Sequence, residues 1–177
     1  MCIFCKIING EIPSQKIYED DDVLAILDIS QANIGHTLVL PKKHFSNILE
    51  IEDYDYLKVM DKVKDIALAI KKAFNAEGIN VLNNCGEAAG QTVNHFHVHV
   101  IPRNINDGIK FEFVNNQDKF NLDEIRQKII KNLWKKFLIF MLKLAKRIRK
   151  ALMMHYQLVM AEWAGWSMDT LLMKRSY

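Results

Sequence analysis

The stretch that decides the fold is "NHFHVHVIPR", residues 94–103, in which His95, His97 and His99 occupy every second position. In an extended strand successive side chains point to opposite faces, so the three imidazoles are predicted on one face and their apolar neighbours on the other. Three imidazoles on one face, with His36 and His44 elsewhere in the domain, favour a functional role for these side chains. Three interpretations stay open: a metal site, a nucleophile with helper groups, or a histidine-rich edge strand.

Apolar runs elsewhere predict an α+β domain, with strands at residues 22–29, 36–41, 79–84 and 95–101. Between the second and third strands, apolar residues recur every three or four positions and predict one crossing helix. Its predicted N-cap is Asp53 and its predicted stop is Gly78. The predicted apolar stripe comprises Leu57, Met60, Val63, Ala67, Ile70 and Phe74. A meander of strands with one crossing helix gives an antiparallel sheet covered by that helix.

The loop before the histidine strand, "NNCGEAAGQTV" (83–93), contains small residues framed by Gly86 and Gly90. Its amides, the Gln91 carboxamide and the Thr92 hydroxyl are predicted to cradle an anion. Beside a neutral imidazole, such donors would stabilise charge that grows on phosphate oxygens. Cys85 in the same loop is a weaker candidate nucleophile than the histidines.

Charge divides the 177-residue chain, since residues 1–127 carry 13 Lys and Arg against 19 Asp and Glu, whereas residues 128–177 carry 11 against 2. We predict a domain over 1–120 and a helical, basic, amphipathic extension over 121–177. Asn121 followed by Glu124 predicts the helix start. The extension could contact an anionic membrane surface, RNA or another protomer. Its abrupt Trp and Met enrichment also permits a non-native segment beyond about residue 134.

The predicted stripe of this second helix comprises Ile125, Ile129, Leu133, Phe137, Met141, Leu144, Ile148 and Leu152, and its first predicted break is "AGWS" at 164–167. The opening residues lack a secretory signal pattern, which predicts a cytoplasmic location. Three cysteines are too few for a disulfide framework, which favours thiol or metal chemistry.

The stretches "IFCKIINGEIPSQKIYEDDDVLAILDIS", "GHTLVLPKKH" and "GQTVNHFHVHVIPR" resemble, in this order and spacing, the histidine triad (HIT) family of nucleotide hydrolases and transferases. The resemblance runs from Cys2 to about Lys119. It implies the HIT fold, a homodimer whose strands form one continuous antiparallel sheet, and a purine nucleotide substrate. Thr92 stands where the phosphoramidase (Hint) branch of that family usually has serine, and "GQTV" followed by "VIPR" is more similar to bacterial and dinucleoside-polyphosphate-cleaving (Fhit-like) members. The resemblance, to a bacterial Hint/Fhit-like branch, therefore leaves open whether a phosphoramidate or a dinucleoside polyphosphate is cleaved.

By position, the resemblance implies that His97 attacks the α-phosphorus and forms a nucleotidyl-histidine, with His99 at the phosphate or leaving group. His36 would complete the imidazole set and the His95 carbonyl would orient His97. Asp28 would accept the ribose hydroxyls. The implied phosphate-binding residues are Asn84, Gly90, Gln91 and Thr92, and the implied apolar base cleft comprises Ile3, Phe4, Ile7, Ile26 and Ile29, which are equally compatible with simple core positions.

Cys2 and Cys5, with His44 and His95, are the predicted ligands of a structural zinc ion, because four tetrahedral Cys and His ligands suit structural zinc. The resemblance implies the same set, because several bacterial members of the family look alike in having it as a zinc site. No catalytic metal is required by the histidine mechanism. Two other hypotheses remain: a nucleotide-binding regulatory module with incidental turnover, and a metal-dependent hydrolase that uses all three histidines as ligands.

Overall fold

A five-stranded antiparallel sheet organises the first part of the chain. The computed structural model describes residues 2–116 and 119–163. Its elements, in chain order, are α1 (Ile3–Ile8), β1 (Lys16–Glu19), β2 (Val23–Leu27), β3 (Thr37–Pro41), α2 (Asp53–Ala73), β4 (Gly78–Leu82), a 3-10 turn (Glu87–Ala89), β5 (Val98–Arg103) and α3 (Leu122–Trp163). The strand order in the sheet is β1–β2–β3–β5–β4, and the α+β fold predicted from the sequence is confirmed.

The four predicted strands are present, and each is shorter than its apolar run. Sequence reasoning missed α1 and β1. The helix α1 has only six residues and no side-chain cap, so it offers too little periodicity to detect. The strand β1 is mostly exposed, and its register with β2 shifts between Lys16 and Tyr18. A short, irregular edge strand gives no clear alternation.

Both faces of the sheet are covered, which explains the uninterrupted apolar run of β2. Val23 and Ala25 belong to a core shared with α2, whereas Leu24 and Ile26 belong to a second core shared with α1. A strand buried on both sides needs apolar residues at every position. The sheet is therefore fixed between two helices of unequal length.

The predicted stripe of α2 was partly wrong. The helix buries Val59, Val63, Ile66 and Ile70 against the sheet, whereas Leu57 is 65% exposed. The buried residues repeat every seven positions, which is about two turns of the helix. The predicted stripe began with Leu57, which lies on a neighbouring, exposed part of the helix surface.

The observed ends of α2 also differ from the predicted ones. Glu52 is the N-cap residue, and the predicted cap Asp53 is the first helical residue. The chain leaves the helix after Ala73 through Asn75, which has a left-handed φ of 50°. Gly78, the predicted stop, is the first residue of β4.

Residues 112–177 form a separate unit from residues 1–111, and its main described element is α3. The predicted start is confirmed, because the Asn121 Oδ1 atom accepts hydrogen bonds from the amides of Asp123 (3.0 Å) and Glu124 (3.3 Å). The predicted break at 164–167 lies outside the described residues. Across the described part of the chain, no helix is both long enough and apolar enough to cross a bilayer.

Candidate functional site

The histidine segment lies mostly before its strand, which corrects the prediction of a strand from residue 95. β5 begins at Val98, so only His99 is held in the ladder, where it pairs with Leu38 of β3 and Leu82 of β4. His95 and His97 are fixed instead by individual hydrogen bonds. The Phe96 amide donates to the Phe45 carbonyl at 2.6 Å, which ties the intervening residue to the core.

His95 is completely buried and directs its two ring nitrogens to different partners. Nε2 lies 2.9 Å from the Pro41 carbonyl oxygen, an acceptor, so this nitrogen carries the proton. Nδ1 therefore presents its lone pair. Burial lowers the pKa of His95 to about 4, which keeps the ring neutral and able to act as a metal ligand.

The Nδ1 lone pair of His95 faces a cluster of Cys2, Cys5 and His44. His95 Nδ1 lies 3.6 Å from Cys2 Sγ, 3.7 Å from Cys5 Sγ and 3.2 Å from His44 Nδ1. Cys5 Sγ lies 3.3 Å from His44 Nδ1. A zinc tetrahedron with bonds of about 2.3 Å to sulfur and 2.0–2.1 Å to nitrogen has edges of about 3.3–3.8 Å. The four residues therefore fit a closed zinc site.

His97 is buried beside His95 and has the complementary arrangement of nitrogens. Its Nδ1–H donates to the His95 carbonyl at 2.6 Å, which leaves the lone pair on Nε2. Burial lowers the pKa of His97, against the opposing effects of the His95 carbonyl and Asp28. The Phe4 ring packs edge-on at 5.1 Å. A neutral ring with a directed Nε2 lone pair is the form that can act as a nucleophile.

Asn83 holds the backbone of this nucleophile candidate, since its Nδ2 donates to the His97 carbonyl at 2.8 Å. Sequence reasoning missed this residue. The signal available was an Asn pair directly after β4, and only its second member, Asn84, was assigned a role. Asn83 and His97 are 14 residues apart in the sequence. Their hydrogen bond depends on how the sheet is formed and cannot be predicted from sequence spacing.

His36 and His99 form a hydrogen-bonded pair in which the proton positions can be assigned. The Ala32 amide donates to His36 Nδ1 at 3.3 Å, so His36 carries its proton on Nε2. That proton is donated to His99 Nδ1 across 2.9 Å. His99 in turn keeps its proton on Nε2. Burial lowers the pKa of both rings, that of His99 to about 4, so the pair is neutral.

Gly35 makes this position of His36 possible. Its φ is 89°, in the left-handed region, and a Cβ there would overlap the Phe74 ring. Phe74, predicted as a stripe residue of α2, is instead the residue directly after the helix, and its ring packs against Gly35. A glycine before the histidine is a detectable sequence signal, whereas its contact with Phe74 is not.

Asp28 lies against the His36–His99 pair. Its Oδ1 accepts hydrogen bonds from the Ser30 amide (2.8 Å) and hydroxyl (2.9 Å). Its Oδ2 lies 3.6 Å from His36 Nε2 and 3.8 Å from His99 Nδ1. Burial opposes ionisation, but the Ser30 hydrogen bonds and the two imidazoles outweigh it and hold the pKa of Asp28 below its usual range. Oδ2 is the oxygen that remains able to accept from a ligand.

The loop before the histidines is braced by Gln91, which corrects one prediction. The Gln91 carboxamide is buried, its oxygen accepts from the Gly86 amide at 2.8 Å, and its nitrogen donates to the carbonyls of Ser46 (2.6 Å) and Val93 (3.0 Å). It therefore has no capacity left for a phosphate oxygen. Gly90, with a left-handed φ of 83°, and the Thr92 side chain are exposed at this loop.

Five apolar residues predicted to line a base cleft separate into two groups. Phe4, Ile7 and Ile26 are buried in the core between α1 and the sheet, so they offer almost no surface to a ligand. Ile3 and Ile29 are exposed, Ile29 completely. The core interpretation holds for the first three, because they close the α1 face of the sheet.

Two groups of His, Cys, Asp or Glu within the described residues have their ligand atoms within 4.8 Å of one another: the cluster at Cys2 and the group of Asp28, His36 and His99. His95 belongs to the first and His99 to the second. A single metal held by all three histidines of the segment is therefore not the arrangement found.

Comparison with known proteins agrees with this geometry. A family model described as "HIT domain" matches residues 9–106. A HIT-like protein of Methanocaldococcus jannaschii is 50% identical over 131 residues, which cover 73% of this chain and 98% of that protein. The crystal structure of a HIT family protein from Bacillus anthracis is 46% identical, with a TM-score of 0.70, over 76% of this chain and 96% of that one.

Further relatives carry functional names. An adenylylsulfatase of Arabidopsis thaliana is 44% identical over 60% of this chain and 54% of that protein. An adenosine 5'-monophosphoramidase of Schizosaccharomyces pombe is 42% identical over 58% of this chain and 74% of that protein. A zinc-bound histidine triad protein from Mycobacterium smegmatis has a TM-score of 0.60 and 37% identity, over 67% of this chain and 86% of that one.

Proposed function

Because the chain belongs to the histidine triad (HIT) family, we propose that it is a nucleotide hydrolase or nucleotidyl transferase acting through His97. The observation that carries the proposal is the 2.6 Å hydrogen bond from His97 Nδ1 to the His95 carbonyl. It leaves the His97 Nε2 lone pair unprotonated in a buried, neutral ring. Such an imidazole can attack phosphorus without first losing a proton.

In the first step, His97 Nε2 forms a bond to the α-phosphorus as the bond from phosphorus to the leaving nitrogen or oxygen breaks. His99, whose Nδ1 accepts from His36, donates a hydrogen bond from Nε2–H to the leaving group, which takes up a proton from solvent as it departs. In the second step, water attacks the nucleotidyl-histidine and releases a proton to solvent. A nucleoside monophosphate leaves, and His97 regains its starting protonation.

The nucleotide is proposed to lie between Asp28 and the loop at residues 84–92. Asp28 Oδ2 would accept the ribose hydroxyls. The phosphate would contact the Asn84 carboxamide and the Thr92 hydroxyl. The predicted phosphate contacts of Gly90 and Gln91 are not retained, because their amides donate to the carbonyls of Glu87 (2.8 Å) and Gly86 (3.1 Å). Exposed Ile3 and Ile29 are the candidates for contact with the base.

The substrate class is proposed to be a purine nucleoside phosphoramidate or a dinucleoside polyphosphate. Relatives named adenylylsulfatase and adenosine 5'-monophosphoramidase support a substrate with an adenylyl group and a good leaving group on its phosphorus. Catalysis is proposed to need no metal. The Ala32 amide occupies the His36 Nδ1 lone pair, so the proton must stay on Nε2, where a metal would need a lone pair.

A structural zinc ion is proposed at Cys2, Cys5, His44 and His95. The fit of the four ligand atoms to a tetrahedron and the zinc-bound relative support it. The hydrogen bond from His95 to Pro41 is the outer contact that fixes a ligating imidazole.

The catalytic domain is proposed to span residues 1–120 and to form a homodimer that continues the sheet. β4 lies at one edge of the sheet, so its outer side offers backbone groups for another strand.

The proposed activity is tested by release of nucleoside monophosphate from adenosine 5'-monophosphoramidate and from a dinucleoside polyphosphate. Wild-type protein, His97→Ala and the matched control His155→Ala, an exposed residue of α3, are compared with and without a chelator. Turnover lost only in His97→Ala supports the proposal. Unchanged turnover in His97→Ala contradicts it, and turnover lost on chelation while thermal stability is retained favours a metal-dependent hydrolase.

A further inference from the structure

The helix α3 has a feature that the proposed catalysis does not use: it is basic on one side and apolar on the other. Nine Lys and Arg residues and no Asp or Glu lie between positions 128 and 150. At 100° per residue these nine positions fall within an arc of about 160° of the helix. The eight whose side chains are described are all exposed.

The apolar side of the same helix is also exposed. Six of its large side chains fall within an opposite arc of about 120°. Five exposed apolar residues of α3 fall within the basic arc instead: Ile125, Ile129, Leu142, Met153 and Met154. Each of the six is more than a third exposed: Leu133, Phe140, Met141, Leu144, Ile148 and Leu152. We call these two sides of α3 the basic arc and the apolar arc.

From this arrangement we propose that α3 binds the surface of an anionic lipid bilayer. The apolar arc would enter the boundary between headgroups and acyl chains, and the basic residues would extend to the anionic headgroups. The helix would lie parallel to the surface.

Charge complementarity selects this occupant. Lysines and arginines three or four positions apart, such as Lys143, Lys146, Arg147 and Lys150, repel one another along the helix. An anionic surface removes that repulsion. A second α3 paired through the apolar arc would bring flanking basic residues together without acidic partners. RNA would use the basic arc and leave the apolar arc in water.

The test measures binding of the full chain to phosphatidylcholine vesicles with and without about 30% phosphatidylserine, at low and high salt. The charge variant is Lys143→Glu/Lys146→Glu/Lys150→Glu, and the apolar variant is Leu144→Asp/Ile148→Asp. The matched control reverses three exposed charges outside α3, Lys64→Glu/Lys72→Glu/Lys110→Glu. Thermal unfolding of the domain confirms that every variant is folded.

We expect binding only to the anionic vesicles, weakened by salt. Each basic residue is expected to contribute about fivefold to vesicle affinity. The charge variant, which loses three lysines, should therefore bind about 100-fold more weakly. The apolar variant should also lose binding, and the control should retain it.

Three outcomes would overturn the proposal. The first is equal affinity for neutral and anionic vesicles. The second is a molar mass, measured by light scattering, that falls in the apolar variant, which would assign that arc to a second copy of the chain. The third is binding to single-stranded RNA that the charge variant loses and the apolar variant retains, without any binding to vesicles.

Discussion

His95 and His97 lie two residues apart in the same buried segment, yet they present opposite ring nitrogens. In His95, Nε2–H donates a hydrogen bond to the Pro41 carbonyl and Nδ1 faces two thiols. In His97, Nδ1–H donates to the His95 carbonyl and Nε2 keeps the lone pair. The comparison teaches that a backbone carbonyl determines which nitrogen of an imidazole keeps its lone pair. The surroundings of that nitrogen then suit the residue either to hold a metal or to attack phosphorus.

The largest expected effect comes from removal of the proposed nucleophile. In His97→Ala, kcat for the phosphoramidate should fall by at least about 10³-fold, because the variant lacks the imidazole that forms the proposed covalent intermediate. Nucleotide affinity, measured by calorimetry, should change by only a few-fold. His155→Ala is the control. A kcat in His97→Ala within tenfold of the wild-type value would remove His97 from the reaction.

The proposed metal-binding role of His95 is tested by Cys5→Ser, which removes another ligand of the same zinc site. Loss of one of four ligands should abolish stoichiometric zinc binding and lower Tm by about 5–10 °C, since metal binding contributes folding free energy. Zinc content by mass spectrometry of metals and Tm by calorimetry check this. Cys85→Ser, which lies outside the cluster, should keep both values. Equal zinc content in Cys5→Ser and wild type would exclude the proposed ligand set.

Acid should destabilise the protein through the neutral pair of His36 and His99. The pKa of His99 is about 4 in the folded state and 6.5 in the unfolded state, and that of His36 is also lowered. Below pH 6.5 the unfolded chain binds protons that the folded chain does not, so the free energy of unfolding falls as pH drops towards 4. The full His99 shift corresponds to about 3 kcal/mol.

Urea unfolding between pH 7.5 and 4 measures this slope, with His99→Gln as the matched variant. The variant should show a shallower decline than wild type. Identical slopes would mean that His99 does not titrate with a lowered pKa.

The smallest predicted effect concerns Asn83, which acts on His97 through the backbone. Asn83→Ala should lower kcat by about tenfold, equivalent to the loss of one hydrogen bond, and leave KM unchanged. Asn84→Ala should instead raise KM, since Asn84 is proposed to bind the phosphate. Steady-state kinetics of the two variants separate positioning from binding. A rise in KM alone for Asn83→Ala would contradict its assignment.

The sequence could predict the α+β fold because its strands are continuous apolar runs and its histidine segment has a distinct period. It could not decide between core and base cleft for Phe4, Ile7 and Ile26, since α1, which contains the first two, is too short to show periodicity. The Gln91 carboxamide was predicted to bind phosphate, but it braces the loop through Ser46, 45 residues away. Partners at that separation depend on tertiary structure and not on local pattern.

The most direct test of the different roles of His95 and His97 is the mass of the intact protein after brief incubation with adenosine 5'-monophosphoramidate. We predict a covalent adenylyl adduct that maps to His97, forms in Asn83→Ala more slowly than in wild type, and is absent from His97→Ala. An adduct on another residue, or one that persists in His97→Ala, would contradict the assignment of His97 as nucleophile.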